Sequence, residues 1–461
     1  MTIVAGIDSS TQSTKVALYD ADDGTFLGAG TAPHTEGTAV DPYTWERALA
    51  AAGTGLLERA EAVGVGGQQH GMVLLGDDGE PVHDALLWND TRSATAATDL
   101  IGQLGGPQAW ATAVGSVPVA SFTVTKLRWV ADNAPEAARR ARSVLLPHDW
   151  LTWNLTGRGE AVTDRGDASG TGYWSPAEGR YRPDLLAAAF RRELAVPRVL
   201  DPAERVGETA WGAAVSAGTG DNMGAGLGLG LRPGDAVVSI GTSGTVFAVS
   251  DRPTADASGT VAGFADATGR FLPLVCTLNA ARILSTTAAM LAVSLADLDA
   301  LALSAPAGAG GLTFVPYLDG ERTPNAPDAS GSLLGMTRTN LTPAHIARAA
   351  VEGLLCGLAD GMDALRALGV PMSRALLVGG GAKSAAVQQL AADILGVPVV
   401  IPAAEEYVAR GAARQAAWVL RGGAEPPDWP LAVVATNEPG GGDDVARRQY
   451  AEARALWVRR R

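Results

Sequence analysis

The sequence predicts an α/β protein of two similar domains, and three observations carry that prediction. Short β-type runs alternate with Ala- and Leu-rich helical segments along most of the chain. The chain has 461 residues, more than one core fills, because single cores stop growing near about 250–300 residues. One supersecondary unit also occurs twice. A strand, a turn of Gly, Ser and Thr, and a second strand appear at residues 3–19 and again at 237–249.

In chain order, Ile3–Ile7 is a strand, Asp8–Lys15 (DSSTQSTK) a hydroxyl-rich turn, and Val16–Tyr19 the returning strand. Thr44–Ala62 reads as a helix with Thr44 as its N-cap. Val63–Val65 is a strand leading into Gly66–Gly71 (GGQQHG), and Met72–Leu75 leaves that loop. Ala85–Trp88 is a short strand that ends in WNDTR. The stretch Ser93–Leu200 is mostly helical by composition. Within it, the strand Ser143–Leu146 ends in PHDW, and Thr163–Gly172 (TDRGDASGTG) is a polar loop without periodicity. This region reads as an insertion that shapes a substrate pocket. The apolar run Ala213–Ala217 then meets Gly218–Asn222 (GTGDN), and Met223–Leu231 continues as Gly, Ala and Leu: strand, tight turn, helix.

The second copy is Val237–Ile240, Gly241–Thr245 (GTSGT) and Val246–Val249. The turn Arg232–Asp235 precedes it and divides the chain into domains 1–232 and 233–461. Thr342 and Pro343 open a helix that runs to about Leu368 and stops at Gly369. Ala375–Val378 is a strand, Gly379–Ser384 (GGGAKS) follows, and Ser384 caps a helix with Val387, Leu390, Ala391 and Ile394 on one face. Val397–Ile401 is a strand and Glu406–Leu420 a helix, and Arg459–Arg461 reads as a solvated tail.

The bulk numbers exclude partners. A formal net charge of −13 argues against nucleic acid and anionic membranes. The two cysteines, Cys276 and Cys356, lie in apolar runs and read as core residues. The five histidines have no zinc-like spacing. The N-terminus opens directly on a strand, and no apolar run approaches the ~20 residues of a membrane span. The expectation is a cytoplasmic protein.

Five constellations carry chemistry. The two hairpin tips can aim N–H and hydroxyl donors at phosphate, with Lys15 adding a point charge; either tip alone is more often an ordinary turn. The GGGAKS turn permits close approach of a flat or anionic ligand, or simply joins a strand to a helix. Asp8 suits a nucleotide's hydrated Mg²⁺, or an Asx-turn. Asp221 is a candidate catalytic base at a strand end, or a helix N-cap. Gln68, Gln69, His70, Trp88, Asn89, Asp90 and Arg92 offer amide, imidazole and aromatic groups that suit a polyol. The loop Tyr317–Pro324 carries no such signal.

These motifs together resemble the FGGY carbohydrate kinases. SFTVTKLRW (Ser121–Trp129) and the stretch from Gly331 to Glu352 are similar to the family's two signatures. GIDSSTQSTK, SIGTSGT and LLVGGGAKS are similar to its two phosphate motifs and its adenosine motif. QQHG, LWND, GTGDN and PYLDGERTP match the members that act on D-xylulose. The resemblance implies an actin-like ATPase fold, two duplicated ribonuclease-H-like domains around a central cleft. It implies transfer of the γ-phosphate of ATP, with Mg²⁺, to the terminal hydroxyl of D-xylulose. A related ketose or polyol is the alternative substrate, and a nucleotide-switched actin-like binding protein the alternative class. Asp221 corresponds to the catalytic base. Gln69, His70, Trp88, Asp221 and Asn222 lie at the sugar. Asp8, Thr11, Lys15, Gly241, Thr242, Gly380, Gly381 and Ser384 lie at the nucleotide, with Asp8 and Asp221 toward the metal. The partners are the sugar and ATP, with a homodimer left open. Ser10 and Ser13 stand where the family's first phosphate loop carries glycine, and Gln69 stands where its xylulose-specific members carry Met.

Overall fold

The computed structural model describes residues 1–440 and 445–459. Arg460 and Arg461 of the expected solvated tail, and the side chain of Arg459, lie outside the described residues. Two compact units emerge. The first comprises Met1–Leu231, Asp251–Leu272 and Glu405–Leu431, and the second Arg232–Ser250, Pro273–Ala404 and the chain from Ala432 on. The turn at Arg232 is thus one boundary, but a single cut there does not separate the units. Two segments of the second half fold with the first unit.

In the first unit, β1 (Ile3–Ser9), β2 (Ser13–Asp20) and β3 (Phe26–Pro33) form an antiparallel meander. β4 (Ala62–Gly67) adds parallel to β1 on its other side. β5 (Arg205–Glu208) and β6 (Ala214–Ser216) complete the order β3–β2–β1–β4–β6–β5, with β6 parallel to β4 and β5 antiparallel at the edge. A two-residue strand, β7 (Thr219–Gly220), continues beside Gly66 and Gly67 of β4.

The second unit repeats this strand order. β8 (Gly234–Ile240), β9 (Gly244–Ala248) and β10 (Phe271–Thr277) are the antiparallel meander. β11 (Met372–Val378) and β12 (Val399–Pro402) add in parallel, and β13 (Val433–Asn437) closes the edge antiparallel. The path β10–β9–β8–β11–β12–β13 follows the first sheet's six-strand path, and the strand Ala262–Ala265 lies beyond β10 at the edge of the second sheet. The duplication read from two hairpins therefore extends to whole sheets.

Side chains alternate across the first sheet as the two-residue period of a strand requires. Ala5, Ile7, Val16 and Leu18 pack on helix α1 (Tyr43–Gly53) with Trp45 and Leu49. Val4, Ala17 and Tyr19 face the helix Tyr407–Arg421, here the closing helix, through Ala409, Ala413, Ala416 and Ala417. That second interface is a contact between backbones. A Cβ on Gly6 would lie 1.7 Å from the Ala409 carbonyl oxygen, and one on Gly64 2.1 Å from that of Ala412.

Helix α1 is shorter than expected. It ends at Gly53, with Gly55 at φ +71°, and a single 3₁₀ turn (Leu57–Arg59) leads into β4. Two glycines in three residues end the helix before its Ala/Leu pattern runs out. Its N-cap is Pro42 rather than Thr44, whose hydroxyl instead accepts a bond from Arg47. The stretch Thr163–Gly172, expected as a loop, holds helix α3 (Arg165–Ser169), which Asp164 caps by accepting the N–H groups of Gly166 and Asp167. Before it, helix α2 (Pro147–Leu155) starts at a Pro with Asp149 accepting from Leu146 N–H at 2.8 Å. The helix Thr123–Asn133 carries Lys126 fully buried, its Nζ donating to the carbonyls of Ala120 and Ser121. Burial pushes that ammonium down to about 7 against the attraction of Asp90.

Candidate active site

Asp221 is the first residue of helix α4 (Asp221–Gly228), and Gly220 is the N-cap. Asp221 directly follows β7, whose Gly220 pairs with Gly67 at the end of β4. Its Oδ1 accepts from Asn222 N–H at 2.7 Å and from Asn222 Nδ2 at 2.8 Å. Asn222 Nδ2 donates also to Gln69 Oε1 at 3.0 Å. Burial pushes the Asp221 carboxyl up to about 7; the Asn222 bonds oppose this, and the charges of Asp8 and Asp167 add to it.

Asp8 lies one residue from the end of β1, opposite Lys15 in the β1–β2 register. It is buried, and its Oδ1 has no hydrogen-bond partner. Burial pushes it up to about 7, with Lys15 pulling down and Glu406 pushing up. Lys15 Nζ pairs with Glu406 Oε2 at 2.6 Å, just before the closing helix. The hairpin tip is tied internally: Ser10 Oγ donates to the Ser13 carbonyl at 3.0 Å, and Thr14 Oγ1 bonds His34 Nε2 at 2.7 Å. Thr11 Oγ1 accepts from the indole N–H of Trp88 at 2.8 Å. The loop assigned to the sugar and the loop assigned to phosphate therefore touch.

His70 has a left-handed backbone, φ +66°. Its ring stacks on Phe122 with centroids 4.7 Å apart and lies 5.6 Å from Phe264. Nδ1 sits 2.7 Å from the Gly170 carbonyl, which only accepts, so Nδ1 donates its N–H to it. Gly170 permits this approach, since a Cβ there would lie 2.8 Å from the ring. Gln69 is almost fully buried, and Trp88 is exposed.

In the second unit the other candidates also gather. The tip Gly241–Ser243 joins β8 to β9, and the Gly241 carbonyl accepts from Ala281 N–H at 2.9 Å. Gly379, at φ +92°, lies against Ile240, the last residue of β8. A Cβ on Gly379 would lie 2.7 Å from its carbonyl oxygen, and one on Gly381 2.3 Å from its side chain. Gly380 faces open space. Gly241, Thr242, Gly380 and Gly381 thus share one end of the second sheet. Ser384 is a structural cap: its hydroxyl donates to Asp299 at 2.5 Å and accepts from Val387 N–H at 3.1 Å. The loop Tyr317–Pro324 is pinned by Glu321, which accepts from Leu278 N–H at 2.6 Å and Asn279 Nδ2 at 2.9 Å.

Sequence reasoning missed one cluster in the first unit. His148, fully buried on α2, places Nδ1 2.8 Å from Asp167 Oδ2 and Nε2 3.2 Å from Asp149 and 3.6 Å from Asp164. Burial works against charge on the ring, yet the three carboxylates hold it at about 9. Burial also pushes Asp149 up to about 7 and raises Asp167, with His148 pulling both back. His148 packs under both turns of the site, its backbone and Cβ against Gly67 and its ring against Gly218. A Cβ on Gly67 would lie 2.9 Å from His148, and one on Gly218 2.4 Å from it. The signal available was PHDW, a Pro-initiated helix after a strand, followed by the capping Asp164.

Among the described residues no group of three or more His, Cys, Asp or Glu is arranged to hold a metal ion. Asp8 and Asp221 fit a different arrangement. They are two mutually repelling carboxylates, one with an unpartnered buried oxygen. Mg²⁺ bound through one or two carboxylates plus water and phosphate suits such a pair.

Comparison with known proteins identifies the family. The N-terminal domain model of the FGGY family of carbohydrate kinases matches residues 3–228, and the C-terminal domain model matches 236–420. The chain is 48% identical to the xylulose kinase of Streptomyces coelicolor over 436 residues, covering 91% of this chain and 88% of that protein. It is 34% identical to the xylulose kinase of Haemophilus influenzae, covering 90% of each. The crystal structure of xylulose kinase from Bifidobacterium adolescentis superposes with a TM-score of 0.92 at 45% identity, covering 98% of this chain and 99% of that one. Plasmodium falciparum glycerol kinase shares the fold, with a TM-score of 0.88 at 20% identity over 100% and 98% of the two chains. With two duplicated sheets in an actin-like ATPase architecture and both domain models matched, the chain belongs to the FGGY family of carbohydrate kinases.

Proposed function

We propose that the chain phosphorylates D-xylulose on its 5-hydroxyl with ATP, giving D-xylulose 5-phosphate and ADP. The observation that carries the chemistry is Asp221, at a strand end and helix start, with its carboxylate oriented by Asn222. The sugar's identity rests on the likeness to xylulose kinases.

Asp221 takes the proton of the 5-hydroxyl as its oxygen bonds to the γ-phosphorus and the bond to the β–γ bridging oxygen breaks. His70 accepts a sugar hydroxyl on Nε2, a role its Nδ1 bond to Gly170 prepares. Asn222 and Gln69 meet the sugar's polar edge, and Trp88 offers its exposed ring to the C–H face. Thr11, Lys15, Gly241, Thr242, Gly380, Gly381 and Ser384 are the proposed nucleotide-binding residues. Lys15 exchanges Glu406 for phosphate. Asp8 and Asp221 would hold Mg²⁺, which would supply charge neutralisation at the transferring phosphate. The same proposal takes the enzyme as cytoplasmic and leaves a homodimer open. Among the described residues no single helix is long and apolar enough to cross a membrane.

The test is ADP release across D-xylulose, D-ribulose, a deoxy-ketose and glycerol, with the Asp221→Asn variant in parallel. D-xylulose is expected to give the highest kcat/KM, and Asp221→Asn to lose turnover while still binding ATP. A higher kcat/KM on another sugar would overturn the substrate, and near-normal turnover of Asp221→Asn the base.

A further inference from the structure

The helix that begins at Asp221 has little of its own to hold it. Three of the eight residues of α4 are glycine, the poorest helix former after proline, and a helix so short is marginal by itself. The last carbonyls of a helix also lack partners within it, and here Leu227 and Gly228, which bear two of them, are buried.

Two arginines of the closing helix meet those carbonyls. Arg410 Nη1 donates to the Gly228 carbonyl at 2.6 Å, and Arg414 Nη1 to the Leu227 carbonyl at 2.7 Å. Four residues apart, they lie on one face of their helix. Both side chains are buried, and each uses its planar fork twice. Arg410 Nη2 donates to the Pro430 carbonyl at 2.9 Å, and Arg414 Nε to that of Pro427 at 2.7 Å. The Arg410 guanidinium also lies 5.5 Å from the ring centroid of Trp429, whose indole N–H donates to the Ala21 carbonyl, just past β2, at 3.1 Å. Positive charge at the C-terminal end of α4 and a carboxylate at its N-terminal end both suit the helix dipole.

The closing helix is in register with both carboxylates of the site. Its Ala409 carbonyl rests on Gly6, two residues before Asp8 on β1, and its Tyr407 carbonyl rests on Gly228, where a Cβ would lie 2.1 Å away. Arg410 stands between these two contacts and the end of α4. All of these residues belong to the first unit.

We propose that Arg410 and Arg414 are positioning residues for phosphoryl transfer: by holding the end of α4 they set Asp221, at its start, against Asp8 on β1. This rests on the reading of Asp221 as the base.

The experiment compares Arg410→Met, Arg414→Met and Arg410→Lys with the native full chain in ADP release from ATP and D-xylulose, each at a temperature where circular dichroism shows it folded. Both Met variants are expected to lose about tenfold or more in kcat, with KM for ATP and for D-xylulose within about twofold. Arg410→Lys returns one charged donor to Gly228 and is expected to turn over at least about threefold faster than Arg410→Met. A merely structural role predicts a lower Tm with native kcat in the folded variants. Native kcat in both Met variants, or Arg410→Lys no faster than Arg410→Met, overturns the proposal. Should the Met variants fail to fold, Arg414→Lys is read against the native chain. One ammonium cannot replace the fork on Leu227 and Pro427, so kcat should fall about threefold or more at unchanged KM; native kcat overturns the proposal. Asp221→Asn run alongside separates the outcomes. If it retains turnover, the base reading fails; if it is inactive while the arginine variants keep native kcat, only the positioning role fails.

Discussion

Gly411 offers a substitution whose effect can be worked from the structure. It lies on the closing helix where that helix crosses α4, the helix that begins at Asp221. A Cβ at 411 would lie 1.8 Å from the Gly224 carbonyl oxygen and 2.9 Å from Gly228 N. Ordinary contact needs about 3.4 Å, so Gly411→Ala must part the helices by about 1.6 Å. Neither opposing atom is on a side chain that can swing aside. Overpacking of this kind costs typically ~1–3 kcal/mol, and the better helix propensity of Ala returns ~1. With backbone on both sides the upper end applies, and the net loss is about 2 kcal/mol. At ~2–4 °C per kcal/mol for a unit of this size, Tm falls by about 4–8 °C. Because Gly224 is one helical turn from Asp221, the shift also moves the carboxylate, and kcat should fall by about 10- to 100-fold. Gly102→Ala is the control: it lies in the helix Ala94–Leu104 with nothing within 4 Å, and should gain about 0.5–1 kcal/mol. The measurements are calorimetry and ADP release on both variants. If Gly411→Ala melts and turns over like the native chain, the backbone-contact argument is wrong.

Three further outcomes are expected. His70→Ala should raise KM for the sugar about tenfold or more while KM for ATP stays within about twofold, by steady-state kinetics; equal effects would remove His70 from the sugar site. Lys126 is depressed to about 7 from 10.5 by burial, so the unfolded chain holds its proton more tightly between those values. Its contribution is therefore present at high pH and lost as pH falls toward 7. Between pH 7 and about 9.5 the native chain should gain on the order of 3 kcal/mol relative to Lys126→Met, read from urea midpoints; parallel curves would refute it. Glu406→Gln frees Lys15 from its ion pair and should lower KM for ATP by about two- to fivefold, an exposed pair contributing little more than ~1 kcal/mol; an unchanged or raised KM would show that Lys15 does not exchange Glu406 for phosphate.

The sheets were legible because hairpins announce themselves locally. The β1–β2 and β8–β9 units, the GGGAKS turn with its Ser384 cap and the helix opening at Thr342 all rest on residues within a few positions of each other. Asp221 was legible as a strand-end carboxylate for the same reason. The closing helix was legible as a helix, but its partners, Gly6, Gly64, Gly224 and Gly228, lie some 180 to 400 positions away, and nothing in Tyr407–Arg421 names them. His148 and Asp167 were missed because a buried charge cluster has no sequence period. α3 is too short, at 5 residues, to show one.

The closing helix also bears on how the chain is made. Residues 1–231, half of the polypeptide, contain β1 through α4, yet their sheet has bare glycines at Gly6 and Gly64 where helix backbone must rest. That helix ends at Arg421 of 461 residues. During synthesis the half that carries Asp221 must therefore wait, incompletely covered, until the chain has been made past Arg421. A ribosome stalled near residue 232 should hold this half in a protease-sensitive state, and release past Leu431 should let it close.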